Sequence, residues 1–225
     1  MPDTSVTPSA ETESNSFLSV LREALVGTSR DFTQGSILPA LIILAIPMIL
    51  EMSMESLFAI VDTFFVSRLG AESIAVVGLT ESILVLTYAV SIGLAIGATA
   101  TVARRVGEQD LESAARTATH AVYLGLIVAL VMGVAGVIFA PRLLTFLGAE
   151  PQVVQLGTPF FRIMLGTNGV IVMLFLLNGI FRGAGDAAIA LRVLIIANGL
   201  NIFFCPMFIF GIGPFPELGV TGAAV

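Results

Sequence analysis

The chain has 225 residues, 56% of them hydrophobic and only 12% charged, with a mean hydropathy of +1.01. A soluble domain carries about twice that charged fraction, near 25%, so a water-soluble globular fold is excluded. The net charge is −6, every basic residue is Arg, and nine of the sixteen acids lie in the N-terminal tail or inside apolar runs, which argues against nucleic acid as a partner.

Residues 1–35 are a polar tail rich in Ser, Thr and Glu. It has no apolar core followed by a small-residue cleavage site, so it does not read as a signal peptide. Residues 1–16 have too little apolar surface to fold, and Phe17 to Val26 form an amphipathic stretch suited to the membrane surface. Residues 36–225 form a membrane domain. Its apolar runs exceed 18 residues and lack the alternation of a barrel strand, which predicts helices. Five spans are expected, at about 37–65, 74–103, 117–140, 157–181 and 188–211. Short turns separate them, RLGAES, RRVGEQDLES, APRLLTFLGAEPQ, FRGAGD and GIGPFPELG, so successive helices should be antiparallel neighbours. A sixth apolar run begins at 218–225, which predicts an unfinished helix and a chain that is a fragment of something longer. No internal repeat is visible.

The first span carries Glu51, Glu55 and Asp62 with no base between Arg30 and Arg68. At 100° per residue Glu55 and Asp62 lie roughly 40° and 20° from Glu51, so the three share one face along about 16 Å of axis. A carboxylate in hydrocarbon costs roughly 2.5–3.5 kcal/mol even on the lenient insertion scale. Such a row needs a wet cavity, a partner helix or a bound cation, and it predicts an ion or substrate path. The alternative for Asp62 is an interfacial acid paired with Arg68. The alternative for Glu51 and Glu55 is interhelical hydrogen bonding. Pro47, four residues before Glu51, removes one helix hydrogen bond and permits a bend.

Glu81 and Tyr88 share a face of the second span and are candidates to line a substrate cavity. So are Asn198 and Cys205, which share a stripe of the fifth span with Asn201; polar residues there also serve as packing contacts between helices. Gly93 with Gly97, and Gly179 with Gly183, have the spacing of close helix contacts. Arg162 is the one base expected within a span, where it either snorkels outward or pairs with an acid. The Met residues fill gaps or give an adaptable surface. His120 stands alone, without ligands at metal spacing. The lone cysteine forbids an intrachain disulfide. No nucleophile–base set or phosphate loop is present, which predicts a non-enzyme without cofactor.

Orientation follows the Arg residues. With the N-terminus in the cytoplasm, the inner segments hold seven of them (Arg22, Arg30, Arg104, Arg105, Arg116, Arg182 and Arg192) and the outer side three (Arg68, Arg142 and Arg162). The expected location is the inner or plasma membrane.

Three stretches carry a family resemblance: PMILEMSMESLFAIVDTFFVSRLGAESIAVVGL, GLAIGATATVARRVGEQD and FRGAGDAAIALRVLIIANGLNIFFCPMFIFGIGPFPELGVTGAAV. Together they resemble the N-terminal lobe of the multidrug and toxic compound extrusion (MATE) transporters over about residues 35–225. The resemblance implies an all-α polytopic membrane protein in which five transmembrane helices and the start of a sixth make one lobe of a twelve-helix transporter. It implies export of small cationic or amphipathic compounds from the bilayer, driven by inward H⁺ or Na⁺, by alternating access of two lobes. The C-terminal half of the same protein would be the partner lobe. It further implies a cation site built from an acid in the first helix and an Asn-x-x-x-Asp pair in the fifth. Asp62 matches the acid and Asn201 the Asn, while the Asp position holds Cys205. A neutral thiol does not replace a carboxylate, so H⁺ is favoured over Na⁺ as the coupling ion, carried by Asp62, Glu51 and Glu55. The resemblance associates Pro47 with bending of the first helix. Two alternatives stand beside this reading. One is a flippase for lipid-linked precursors, disfavoured by acids where a pyrophosphate head would need bases. The other is a truncated fragment that does not transport.

Overall fold

A computed structural model describes residues 37–224; the polar tail, with its expected unfolded start and surface stretch Phe17 to Val26, lies outside the described residues. Six α-helices follow one another: α1 (Ile37–Ser67), α2 (Ala71–Gly107), α3 (Leu111–Phe146), α4 (Pro151–Gly166), α5 (Asn168–Gly183) and α6 (Ala188–Phe210), closed by a 3₁₀ helix (Gly219–Ala224). No strand occurs among the described residues. Counted as membrane spans there are five, because α4 and α5 make one apolar segment, Pro151–Gly183. The chain is an all-α, multi-pass membrane protein.

Spans two and three run past the expected ends at both termini. Hydropathy marks where apolar residues stop, but the helices continue through their polar ends. Arg104 and Arg105 occupy the last turn of α2, where positive charge suits the helix dipole. The Asp110 side chain accepts the Ser113 N–H at 3.0 Å and caps α3. With 37 residues, α2 is about 55 Å long, well beyond the ~30 Å hydrocarbon core.

The fourth span is two helices, not one. Thr167, at φ −96° and ψ 8°, breaks it, and the Val170 N–H donates to Thr167 O at 2.9 Å in a tight turn. Asn168 opens α5 fully buried, with neither amide atom partnered among the described residues. The sixth apolar run takes the form of the 3₁₀ helix, with Gly222 set directly on the Phe208 backbone. The turn before it needs Gly211, at φ +65°, because a Cβ there would lie 2.9 Å from Glu217 N.

The centre of the bundle is α2, which packs on α3, α4 and α5. Its buried stripe narrows to Ser91, Ala95 and Ala98, and α5 comes close there. A Cβ on Gly179 would stand 2.7 Å from Ala95 O, and one on Gly183 2.7 Å from Thr99 O. Thr99 Oγ1 donates to Gly179 O at 2.8 Å across the contact. Gly93 and Gly97, with the same sequence spacing, face open space. They lie off the buried stripe, so the expected close contact does not form at that pair. Between lipid-soluble helices it is such close packing, more than burial of apolar area, that holds the bundle.

α1 is peripheral and packs mainly on α6. At one end Val66, Val76, Phe160, Cys205 and Ile209 form a core cluster; a second, of Leu84, Leu144, Phe161 and Leu165, joins α2, α3 and α4.

Candidate functional site

Helix α1 is continuous through Pro47, which is buried. The three acids beyond it share a face, as their spacing requires, but meet two different neighbours. Glu51 turns to α5. It is 5% exposed, its Oε1 accepts Asn178 Nδ2 at 2.8 Å and its Oε2 faces Arg182 Nη1 at 3.4 Å. The first contact is the firm one; the second is long for a charge-assisted bond.

Asp62 turns to α6. Its Oδ1 accepts the Cys205 thiol at 3.4 Å, and Cys205 is buried. Arg68 does not pair with it; the guanidinium stands over the Phe64 ring, 4.8 Å from the centroid. Asn201 lies one turn before Cys205, with its Oδ1 buried and unpartnered. One further turn back, Asn198 donates from Nδ2 to Met54 O at 3.4 Å, its own Oδ1 unpartnered. The stripe read from α6 therefore faces α1, and two polar carbonyl oxygens along it remain free to accept a donor or a cation.

Glu55, half-buried between these two contacts, lies within electrostatic reach of Glu51 and Arg182. Glu81, on the exposed side of α2, lies within reach of Asp62. Tyr88 is within reach of both Glu81 and Glu55, and its ring meets Phe175 edge-on at 6.1 Å. Asp62, Glu81, Tyr88 and Glu55 thus lie in electrostatic reach of one another in turn along α1 and α2, with an aromatic pair beside Tyr88. Such a wall suits a cation carrying apolar rings.

Two partners were not singled out by the sequence reading, Asn178 and Arg182. Their i,i+4 spacing near the end of an apolar span puts them on one helix face, and that was the available signal. The sequence marks Arg182 only as a topology-setting base. Arg162, the base expected within a span, donates from Nε to Val137 O at 3.3 Å rather than to an acid. His120 is exposed. Among the described residues no group of three or more His, Cys, Asp or Glu side chains gathers as a metal would require.

Comparison with known proteins identifies the family and the fold. The MatE family model matches residues 47–207. A FAD transporter of Shewanella oneidensis is 29% identical over 168 residues, 75% of this chain and 37% of that protein. A probable multidrug resistance protein, NorM, of Thermotoga maritima is 28% identical over 185 residues, 82% of this chain and 40% of that protein. Among solved structures, an outward-facing multidrug resistance MATE transporter of the MOP superfamily superimposes with a TM-score of 0.79 at 34% identity, over 88% of this chain and 44% of that one. A MOP superfamily transporter from Pyrococcus furiosus gives 0.78 at 35% identity, over 85% and 42%. The chain spans about two fifths of the length of the curated relatives it matches. With most of its membrane domain matched by the family model and its helices superimposed on these transporters, the chain belongs to the MATE family.

Proposed function

We propose that residues 37–224 form one lobe of a two-lobe exporter that moves small cationic or amphipathic compounds out of the cell in exchange for inward H⁺. The share of each relative that the chain covers supports a lobe working with a second of similar size. The names of the relatives, a FAD transporter and multidrug resistance proteins, support export of organic compounds rather than chemistry upon them. The region between α1 and α2, with its carboxylates and its Tyr88–Phe175 pair, supports a lipophilic cation as cargo. Pro47 would give α1 its bending point during alternating access. The Arg distribution supports an inner or plasma membrane protein with a cytoplasmic N-terminus.

The observation that carries the coupling assignment is the company of Asp62. Its neighbour on α6 is the thiol of Cys205 at 3.4 Å, not a second carboxylate. A hard cation stripped of water needs several oxygens, whereas a proton needs one carboxylate that moves between a wet and a dry setting. Asp62 with Asn201 is the coupling site, and H⁺ the ion. Glu81, Glu55, Tyr88 and Asn198 line the cargo side.

The test is transport by the complete exporter in proteoliposomes under imposed ΔpH or Na⁺ gradients. Asp62→Asn keeps shape and removes the proton site, and should abolish ΔpH-driven export while leaving membrane insertion intact. Cys205→Asp supplies the second carboxylate and should raise Na⁺ dependence. Normal ΔpH-driven export by Asp62→Asn would move the coupling role to Glu55 or Glu51.

A further inference from the structure

We propose that Glu51, Asn178 and Arg182 form a clasp that fastens the middle of α1 to α5, and that this clasp, rather than ion coupling, is the role of Glu51. Among the described residues, α1 is tied to its neighbours by three polar side-chain contacts. Two run to α6, from Asn198 to Met54 O and from Cys205 to Asp62. The third runs to α5 and uses both oxygens of one carboxylate, Oε1 by Asn178 and Oε2 by Arg182. Glu51 is 5% exposed and Asn178 6%, so little of either is left to meet an ion or a cargo. Asn178 and Arg182 stand one turn apart on the same face of α5 and reach the same carboxylate from two sides. The charges facing Glu51 are Arg182 from α5 and Glu55 from its own helix.

Electrostatics make the arrangement conditional on both partners. In a low-dielectric setting, removing one member of a buried pair strands the other charge, which costs more than the intact pair contributes. Arg182 also balances one of the two neighbouring acids. Glu55, four residues on, has no bonded partner among the described residues and remains the acid presented to a cation. The clasp therefore divides two residues of one type, one turn apart, into a fastening and a binding group. This division rests on the exporter reading for Glu55, but the fastening itself does not.

The experiment uses the complete exporter with three variants: Glu51→Gln, Arg182→Gln, and the charge exchange Glu51→Arg with Arg182→Glu. The exchange leaves Asn178 able to serve either partner, since its amide both donates and accepts. Thermal midpoints in detergent are read beside ΔpH-driven export. Each single variant should lower the midpoint by about 5 °C or more, with export falling alongside it. The exchange should recover most of both. The proposal is overturned if Glu51→Gln keeps the unmodified midpoint while export is lost, since Glu51 would then be a coupling acid. It is also overturned if the exchanged pair is no more stable than the single variants, or regains its midpoint without regaining export. Because the midpoint needs no transported compound, a protein that exports nothing tested would still report on the clasp.

Discussion

Glu108 and Asp110 sit at the turn between α2 and α3, and each is held by neighbours that want it charged. Glu108 lies below the usual carboxylate range chiefly through the Arg104 hydrogen bond, helped by Arg105; Asp110 does so through hydrogen bonds from Ser113. A lowered carboxylate pKa in the folded state favours folding at pH above the ordinary range, and that contribution disappears as pH falls through the folded value. The turn should therefore be indifferent to pH from neutral to about 5 and loosen below about 4. Amide exchange at Ser113, corrected for its intrinsic pH dependence, should show this, and Asp110→Asn, which keeps a capping oxygen but cannot titrate, should not. Uniform protection down to pH 3 would contradict it. At this scale the sequence was legible where neighbours are close along the chain. The acid row of α1 was plain, because period and charge suffice to find it. The partners of Glu51 lie 127 and 131 residues away, and no local pattern encodes such a pairing. Arg68 shows the opposite limit: its expected partner was Asp62, six residues back, and its actual contact is the Phe64 ring, four residues back.

Elements obey spacing only where a neighbour is present to use it. Gly93 with Gly97 and Gly179 with Gly183 repeat one motif, yet only the second pair touches another helix. On α5 the missing side chains let the backbone approach Ala95 O and Thr99 O; on α2 they adjoin open space. Gly179→Ala would place a methyl group 2.7 Å from Ala95 O, a backbone atom that cannot turn aside. It should cost about 1–3 kcal/mol as overpacking does elsewhere, and Gly97→Ala should leave stability within error. Thermal midpoints of the two variants in the same detergent decide; equal midpoints would mean that α5 shifts freely on α2. The break at Thr167 was invisible for a related reason. Pro151–Gly183 is as a whole long and apolar enough to cross a membrane, and neither Gly166 nor Thr167 alone stops a helix in lipid, where Gly is common within spans. What fixes the break is tertiary. Gly136 of α3 receives Leu165, whose side chain would collide at 2.5 Å with any Cβ there. Asn168 is then carried into the protein interior, away from lipid.

For the whole molecule, the number of spans was readable because a bilayer imposes one length and one polarity on every crossing. The side on which each turn lies is set by a weaker force, the bias of Arg toward the cytoplasm. The five crossings place the turns alternately. Residues 108–110 and 184–187 fall on one side, and residues 68–70, 147–150 and 211–218 on the other. Arg104, Arg105, Arg116, Arg182 and Arg192 flank the first set, and Arg68, Arg142 and Arg162 the second. Two turns are suited to a reporter. Gln109 is exposed and holds φ 60° in a loop stabilised by its own backbone bonds. Gly213, exposed beyond α6, has open space around it, and at φ 75° a side chain there meets no neighbour but carries backbone strain. In a Cys205→Ala background, Gln109→Cys should resist a membrane-impermeant maleimide in intact cells and react once the membrane is opened, while Gly213→Cys should react from outside at once. An even number of crossings between the two positions would give them the same behaviour, and three crossings (α3, the α4–α5 span and α6) must give them opposite behaviour. Outside labelling of Gln109→Cys with protection of Gly213→Cys would invert the orientation. The Asp62 end of α1 would then open to the cytoplasm, and a proton moving inward would have to enter past Glu51 rather than past Asp62.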